Sequence, residues 1–139
     1  MPTSLRLIAA LLVAATIAAI ASIAVLHAQD VAHARTQAEQ MTGGSVDRGK
    51  LALSRYGCGA CHVITGIADA QGQAGPSLAG IASRATIAGR LANQPDQMVL
   101  WLRHPQQIVP GNAMPDQQLS ERNARDIAAY LYTLRKTTY

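Results

Sequence analysis

The pattern of apolar and polar positions divides the chain into an apolar amino-terminal run and a longer mixed region. Residues 7–26 contain no charged side chain, and Arg6 is the only charged side chain before them. A helix that spans a bilayer needs about 20 apolar residues, whereas the apolar core of a signal peptide has about 7–15. The run therefore favours a retained membrane anchor over residues 1–26, with a cleaved signal peptide as the alternative.

The residues that follow the apolar run bear on its processing and orientation. Residues 32–34 (Ala-His-Ala) have the small-x-small pattern of a cleavage site but lie several positions beyond the run. Arg6 predicts a cytoplasmic amino terminus by the positive-inside rule, so the rest of the chain is exported under either interpretation. Residues 27–45 are rich in Ala, Gln, Glu and Arg up to the Gly-Gly at 43–44, and predict a helical or flexible tether.

A first helix of the mixed region is predicted from about Ser45 to Tyr56. Ser45 is a suitable cap, and Asp47 is favourable at the positive end of the helix. Gly49 lies in the interior, where glycine costs about 1 kcal/mol relative to Ala. A close contact with another helix would explain its presence.

Two more helices are predicted towards the carboxyl terminus. One spans about residues 96–104, between prolines that favour its start and its end. The last begins near Ser120 and carries an apolar stripe, with i,i+4 charge pairs at 121–125 and 122–126. The Gly- and Pro-rich segments 63–82 and 109–115 predict a loop and an extended segment respectively. The pattern therefore predicts a small all-α domain over residues 46–139.

The sequence Cys58-Gly-Ala-Cys61-His62 is the attachment signature of a c-type haem. Two cysteines three positions apart lie on one side of a helical turn, where each thiol can add to one haem vinyl group. The small residues between them leave room for the porphyrin edge. The imidazole of His62 follows immediately and can reach the iron from the proximal face. The motif therefore predicts one covalent haem with its first axial ligand.

Two other sites use a Cys-x-x-Cys pair. Structural zinc needs four ligands, and the chain has no third cysteine and no histidine at a matching spacing. A thioredoxin-like dithiol belongs with a βαβ pattern, which the sequence does not show. Both remain alternatives to haem attachment, which the motif favours.

Composition agrees with a small cofactor-binding domain. Aromatic residues make up 4% of the chain and phenylalanine is absent, so a haem would supply much of the apolar surface of a small core. The net charge of +4 is scattered, whereas nucleic-acid binding favours a clustered basic stripe. We therefore expect no nucleic-acid partner, and mild steering of an acidic partner.

The segment from about residue 46 to 134 resembles class I c-type cytochromes. In that family an amino-terminal helix leads into the haem motif and is crossed by the carboxyl-terminal helix, at positions that Gly49 and Tyr130 match. The resemblance implies a small fold wrapped around one covalent haem. It also implies that the carbonyl of Pro76, in Gly-Pro-Ser-Leu at 75–78, accepts a hydrogen bond from His62 and orients it.

A closer similarity is to the cytochrome c domain fused to subunit II of some haem–copper terminal oxidases. It rests on the strings at 75–78, 81–88, 101–106 and 110–115. In those oxidase subunits the domain accompanies a copper-binding domain, whereas here it follows the apolar segment. The similarity implies an electron carrier, not an enzyme, at the bacterial inner membrane with its haem in the periplasm. Its implied partner is a haem–copper oxidase or the complex that feeds it.

Other functions remain open alongside this one. The chain could be the electron-entry subunit of a membrane oxidase or dehydrogenase complex. A five-coordinate haem enzyme or gas sensor would require an open axial position on the iron.

The same resemblance implies a methionine ligand in a distal loop, and Met114 is the residue that fits. Its soft thioether would stabilise ferrous iron. Met98 lies on the apolar stripe of a predicted helix and fits a core position better. His104 is the other candidate for the second axial ligand.

Polar side chains near the predicted haem have open roles. Trp101 is either a propionate hydrogen-bond donor or a core residue. Arg84 and Arg90 are either propionate partners or solvated. Asn112 either donates near the methionine sulfur or lies in a turn.

Overall fold

The computed structural model describes residues 2–136 and divides the chain into two compact units, Met1–His33 and Ala34–Tyr139. The helices of the described residues are α1 (Thr3–Thr42), α2 (Val46–Arg55), α3 (Pro95–Arg103), α4 (Pro105–Ile108) and α5 (Glu121–Thr133). Short 3-10 turns lie at Cys58–Ala60 and Ile81–Ser83. Strands β1 (Thr86–Ile87) and β2 (Leu91–Ala92) pair antiparallel.

The first unit consists of the apolar part of α1. Its most apolar 18-residue window has a mean hydropathy of 2.6, and none of that window is buried. Among the described residues, α1 is the helix that is long and apolar enough to cross a membrane. Length and composition therefore make it a candidate transmembrane anchor.

The second unit begins with the end of α1. Segment 27–45, which the sequence left open between helix and flexible tether, is helical as far as Thr42. Thr42 is buried and the helix stops before Gly43, which has a φ of 65°, so the predicted break is confirmed. A carboxylate oxygen of Glu39 accepts a hydrogen bond from the backbone N–H of Val46 at 2.9 Å. This bond satisfies a free N–H at the start of α2.

Helices α2 and α5 cross in close contact at Gly49. A Cβ atom at this position would lie 2.6 Å from the carbonyl carbon of Asp126 and 3.1 Å from the Cβ of Tyr130. A glycine is therefore required for the backbones to approach this closely, and the predicted contact is confirmed.

The buried carboxylate of Asp126 joins α5 to the start of α2. It accepts two hydrogen bonds from the guanidinium of Arg48, both 2.8 Å, and one from the backbone N–H of Ser45 at 2.7 Å. Burial raises the pKa of Asp126, but these hydrogen bonds outweigh it and hold the pKa below its usual value. The predicted pair between residues 122 and 126 is not among the ion pairs of the described residues, and Asp126 pairs with Arg48 instead. The predicted pair of residues 121 and 125 is present at 2.9 Å.

The connection between α2 and α3 is mostly loop, as the sequence predicts, but it contains a small hairpin that the sequence did not predict. Asn93 joins this region to α5. Its amide donates to the carbonyls of Ile81 and Arg84, both at 2.8 Å, and its oxygen accepts from the hydroxyl of Tyr132 at 2.9 Å. Burial raises the pKa of Tyr132 to about 12, so this hydroxyl stays protonated and able to donate further into alkaline pH than an exposed tyrosine.

Helix α3 lies within one residue of its predicted start and end, and α5 begins within one residue of its predicted start. The exception is the short helix α4, which begins at the proline expected only to end α3. Proline favours the first position of a helix, because its missing N–H would have no intrahelical partner there. Pro105 therefore both ends α3 and starts α4.

We predict that Gly49→Ala lowers the free energy of unfolding of the haem-loaded protein by about 1–3 kcal/mol, since overpacking outweighs the gain in helix propensity. Denaturant unfolding followed by circular dichroism measures this change. Lys50→Ala, at an exposed position of the same helix, should change the stability by less than about 0.5 kcal/mol. Equal stability of Gly49→Ala and the wild type would show that the crossing tolerates a side chain.

Candidate haem site

A left-handed glycine delivers the end of α2 into the Cys-x-x-Cys-His motif. Gly57 has a φ of 66°, and a 3-10 turn follows at once. The backbone N–H groups of Cys61 and His62 both donate to the carbonyl of Cys58, at 3.3 and 3.0 Å. The backbone from Cys58 to His62 therefore forms a tight turn.

The glycines around the motif allow a neighbouring segment to pack directly on its backbone. A Cβ atom at Gly59 would lie 2.8 Å from the Cα and Cβ of Ala70, and one at Gly72 would lie 2.5 Å from the backbone nitrogen of Cys61. The N–H of Gly72 donates to the carbonyl of Gly59 at 3.0 Å. The shape of the turn is therefore fixed by backbone contacts, and it does not depend on hydrogen bonds from the side chains of Cys58, Cys61 or His62.

One hydrogen bond orients the imidazole of His62. Its Nδ1 lies 2.7 Å from the carbonyl oxygen of Pro76, which can only accept, so Nδ1 carries the proton and Nε2 has the free lone pair. The N–H of Gly75 donates to the carbonyl of Cys61 at 2.8 Å. A Cβ atom at Gly75 would lie 2.6 Å from Nδ1, so the loop lies against the ring. Such a bond fixes both tautomer and orientation of a ligating histidine and strengthens it as a ligand.

The two thiols are free, with Cys58 partly buried and Cys61 exposed. Burial raises the pKa of Cys58, which disfavours the thiolate that a dithiol oxidoreductase needs. Within residues 2–136, no group of three or more His, Cys, Asp or Glu side chains is arranged to hold a metal ion. The structure thus offers no protein-only ligand set for the zinc alternative.

The two methionines weighed as ligands, Met98 and Met114, occupy different environments. Met98 has 2% of its surface exposed and belongs to the core, on α3. Met114 is half-buried and packs on that core from a loop, as does Trp101 from the side of α3. His104, the other ligand candidate, is half-buried at the junction of α3 and α4.

In the structure, Arg84 and Asn112 make hydrogen bonds to the backbone of loops. The guanidinium of Arg84 donates to the carbonyls of Ser77 and Ala79, so it stabilises the loop that bears Pro76. The side-chain oxygen of Asn112 accepts from the backbone N–H of Met114 at 2.7 Å. Both residues thus act on loop backbone in this structure.

The sequence did not predict the contact of Gln106 with the loop that carries Met114. The side-chain amide of Gln106 donates to the carbonyl of Met114 at 2.6 Å. Its position within the string at 101–106 marked it as part of the resemblance, but no spacing rule connects a glutamine on one short helix with a loop carbonyl eight residues later.

These residues fit a haem. His62, with its free Nε2, would be able to hold the iron, and a methionine thioether is the second ligand that many electron-transfer haem proteins add to a histidine. Cys58 and Cys61, both free, lie within four residues of His62 in the sequence and would be able to bond to haem vinyl groups. When bound, the haem supplies reversible one-electron chemistry, and the protein supplies ligands, orientation and an apolar surrounding.

Fold and site together define a class I cytochrome c. The chain belongs to the cytochrome c family, whose model matches residues 46–135. The domain is therefore an electron-carrying cytochrome that binds haem c.

The chain is similar in sequence to two proteins named cytochrome c oxidase subunit 2. It is 31% identical to cytochrome c oxidase subunit 2 of Alkalihalophilus pseudofirmus over 100 residues, which are 71% of this chain and 28% of that protein. It is 32% identical to cytochrome c oxidase subunit 2 of Bacillus sp. (strain PS3) over 88 residues, 60% of this chain and 25% of that protein. The chain thus matches about a quarter of the length of these relatives. No solved structure matches it significantly.

We predict that Gly75→Ala raises the reduction potential by about 20–60 mV, because the new methyl group displaces the His62 ring from Pro76 and leaves the imidazole a weaker donor to ferric iron. Redox titration measures the shift. Gly89→Ala is the matched control: it places a methyl group in open space in the hairpin, so it should change stability through its φ of 66° but leave the potential unchanged. Equal shifts in both variants would contradict the role given to the Pro76 contact.

Proposed function

We propose that this chain is a membrane-anchored cytochrome that carries single electrons in a respiratory chain. One haem is attached through Cys58 and Cys61, with His62 and Met114 as axial ligands. The observation that carries the proposal is the fixed His62 imidazole, whose Nδ1 is occupied by Pro76 and whose Nε2 is free. With both axial positions filled by protein, the iron has no open site for substrate, and the cofactor changes only its oxidation state.

We propose that the chain has three parts with separate roles in this function. We assign residues 1–26 to the anchor, 27–45 to the connection and 46–139 to the cytochrome domain. The exposed apolar surface of α1 supports the anchor, since such a surface is stable in a bilayer and unfavourable in water. Arg6 at the amino-terminal side supports export of the haem domain to the periplasmic face of the inner membrane.

The partner we assign is a haem–copper oxidase or the complex that feeds it. The support is the similarity to two proteins named cytochrome c oxidase subunit 2, over a segment that includes the haem motif. Electron transfer requires only brief contact between partners, so small and partly polar contact surfaces suffice.

Met114→Ala should leave the haem attached, because thioether formation and proximal ligation do not involve this side chain. It should admit carbon monoxide to ferrous iron and lower the reduction potential through loss of the soft ligand. The far-red sulfur-to-iron charge-transfer band of the oxidised protein reports the ligand directly. Met98→Ala is the matched methionine control, and it should keep the band while costing about 2–5 kcal/mol of stability. The reverse outcome would move the ligand assignment to Met98.

The partner is tested with the full chain in membranes. The protein should stay with the membranes through a high-salt wash, with an intact mass that includes residues before Gln29. Its reduced form should support cyanide-sensitive oxygen uptake by membranes that contain a haem–copper oxidase. Release by salt, or a mass that starts at Gln29 or Arg35, would contradict the anchor. Efficient donation to another enzyme without oxygen uptake would contradict the partner.

A further inference from the structure

The segment 105–115, here called the methionine loop, is stabilised by two carboxamide side chains. Apart from the single turn of α4 it has no regular secondary structure. Gln106 and Asn112 each make three side-chain hydrogen bonds, and every one of these ends on a backbone atom of the loop. The loop thus has a polar frame of its own.

Gln106 crosses the loop from α4. Its Nε2 donates to the carbonyls of Asn112 and Met114, at 2.9 and 2.6 Å, and its Oε1 accepts from the N–H of Gly111 at 3.1 Å. Two carbonyls on one side and an N–H on the other match the two ends of a carboxamide. A carboxylate or an apolar group of the same shape cannot make this set of bonds.

Asn112 completes the frame from inside the loop. Its Nδ2 donates to the carbonyls of Pro105 and Val109, at 3.0 and 2.6 Å, and its Oδ1 accepts from the N–H of Met114 at 2.7 Å. Both carboxamides are half-buried, so their bonds compete less with water than those of exposed side chains.

The hydrogen bonds of Gln106 and those of Asn112 meet at Met114. Its N–H is held by Asn112 and its C=O by Gln106, and in the described part of the chain no backbone–backbone hydrogen bond reaches this residue. The direction in which the Met114 side chain leaves the backbone is thus set by two side-chain amides.

We propose that Gln106 and Asn112 are positioning residues that hold the methionine loop in the conformation needed for Met114 to ligate iron. The proposal rests on the proposed ligand role of Met114. Ordering the backbone of a loop costs conformational entropy, and a loop ordered by its own amides meets that cost during folding. The thioether then binds iron without further ordering of the chain.

The test compares Gln106→Ala and Gln106→Glu with Gln107→Ala in the haem-loaded protein. Gln106→Glu keeps the size of the side chain but removes both donors. Gln107 is the exposed neighbour on the same short helix and makes no side-chain hydrogen bond within residues 2–136, so it is the matched control. The readouts are the far-red band of the oxidised protein and the rate of carbon monoxide binding by the ferrous protein, with far-ultraviolet circular dichroism as the measure of folding.

Both Gln106 variants should bind carbon monoxide about ten-fold faster and lose far-red intensity, at unchanged helix content. Gln107→Ala should match the wild type. If both Gln106 variants match the wild type in band and rate, the proposal is overturned, and the amides serve only the shape of the loop. If Met114→Ala keeps the band, the ligand assignment fails first, which is a separate result.

Asn112→Asp covers the case in which Gln106→Ala does not fold. This variant keeps the acceptor for the Met114 N–H and loses both donors to the loop. We expect a smaller rise in the rate than for Gln106→Glu, because Asn112→Asp keeps both bonds to Met114, whereas Gln106→Glu keeps only the one from the Met114 N–H to Asn112. An unchanged rate in both Asn112→Asp and Gln106→Glu overturns the proposal without reference to the alanine variant.

Discussion

The close crossing of α2 and α5 at Gly49 is the constraint on which the haem motif depends. The motif follows α2 directly, so the position of the Cys58 turn is set by where α2 lies on α5. The missing side chain at Gly49 permits the approach, and the buried carboxylate of Asp126 keeps it in register through Arg48.

Beyond this crossing, side chains bound to loop backbone replace regular secondary structure. Asn93 connects two loop carbonyls to α5, Arg84 stabilises the loop beside Pro76, and Tyr130 donates from its hydroxyl to the carbonyl of Thr65 at 2.7 Å. Buried backbone groups need partners, and long loops do not supply them internally. These side chains therefore allow irregular segments to hold precise positions around a cofactor.

The sequence predicted the parts of this molecule that depend on local rules. The helix start near Ser45 and the tight contact at Gly49 follow from residue type and from the cost of glycine in a helix. Ser45 occupies the cap position, but its side chain makes no capping hydrogen bond, and side chains of Glu39 and Asp126 accept from the first backbone N–H groups instead. The short helix α4 and the β1–β2 hairpin escaped prediction because they are a few residues long and are fixed by tertiary contacts. The roles of Gln106 and Arg84 also escaped, because a carboxamide or guanidinium that binds loop carbonyls leaves no periodic signal.

The two proposed axial ligands are held in different ways, and this difference bears on function. His62 adjoins the attachment cysteines, so a covalently bound haem would keep the proximal ligand close even if the Pro76 bond broke. Met114 is distant in sequence and depends on a noncovalent loop. Of the two proposed ligands, Met114 is therefore the one that could be lost from the iron without breaking a covalent link. With Met114 as the ligand proposed above, a stable loop would keep the iron six-coordinate and restrict it to electron transfer, whereas a loosened loop would open the iron to small ligands, the property of a gas sensor or haem enzyme. On that proposal, the hydrogen bonds of Gln106 and Asn112 would favour the electron-transfer state of the haem over the ligand-binding state.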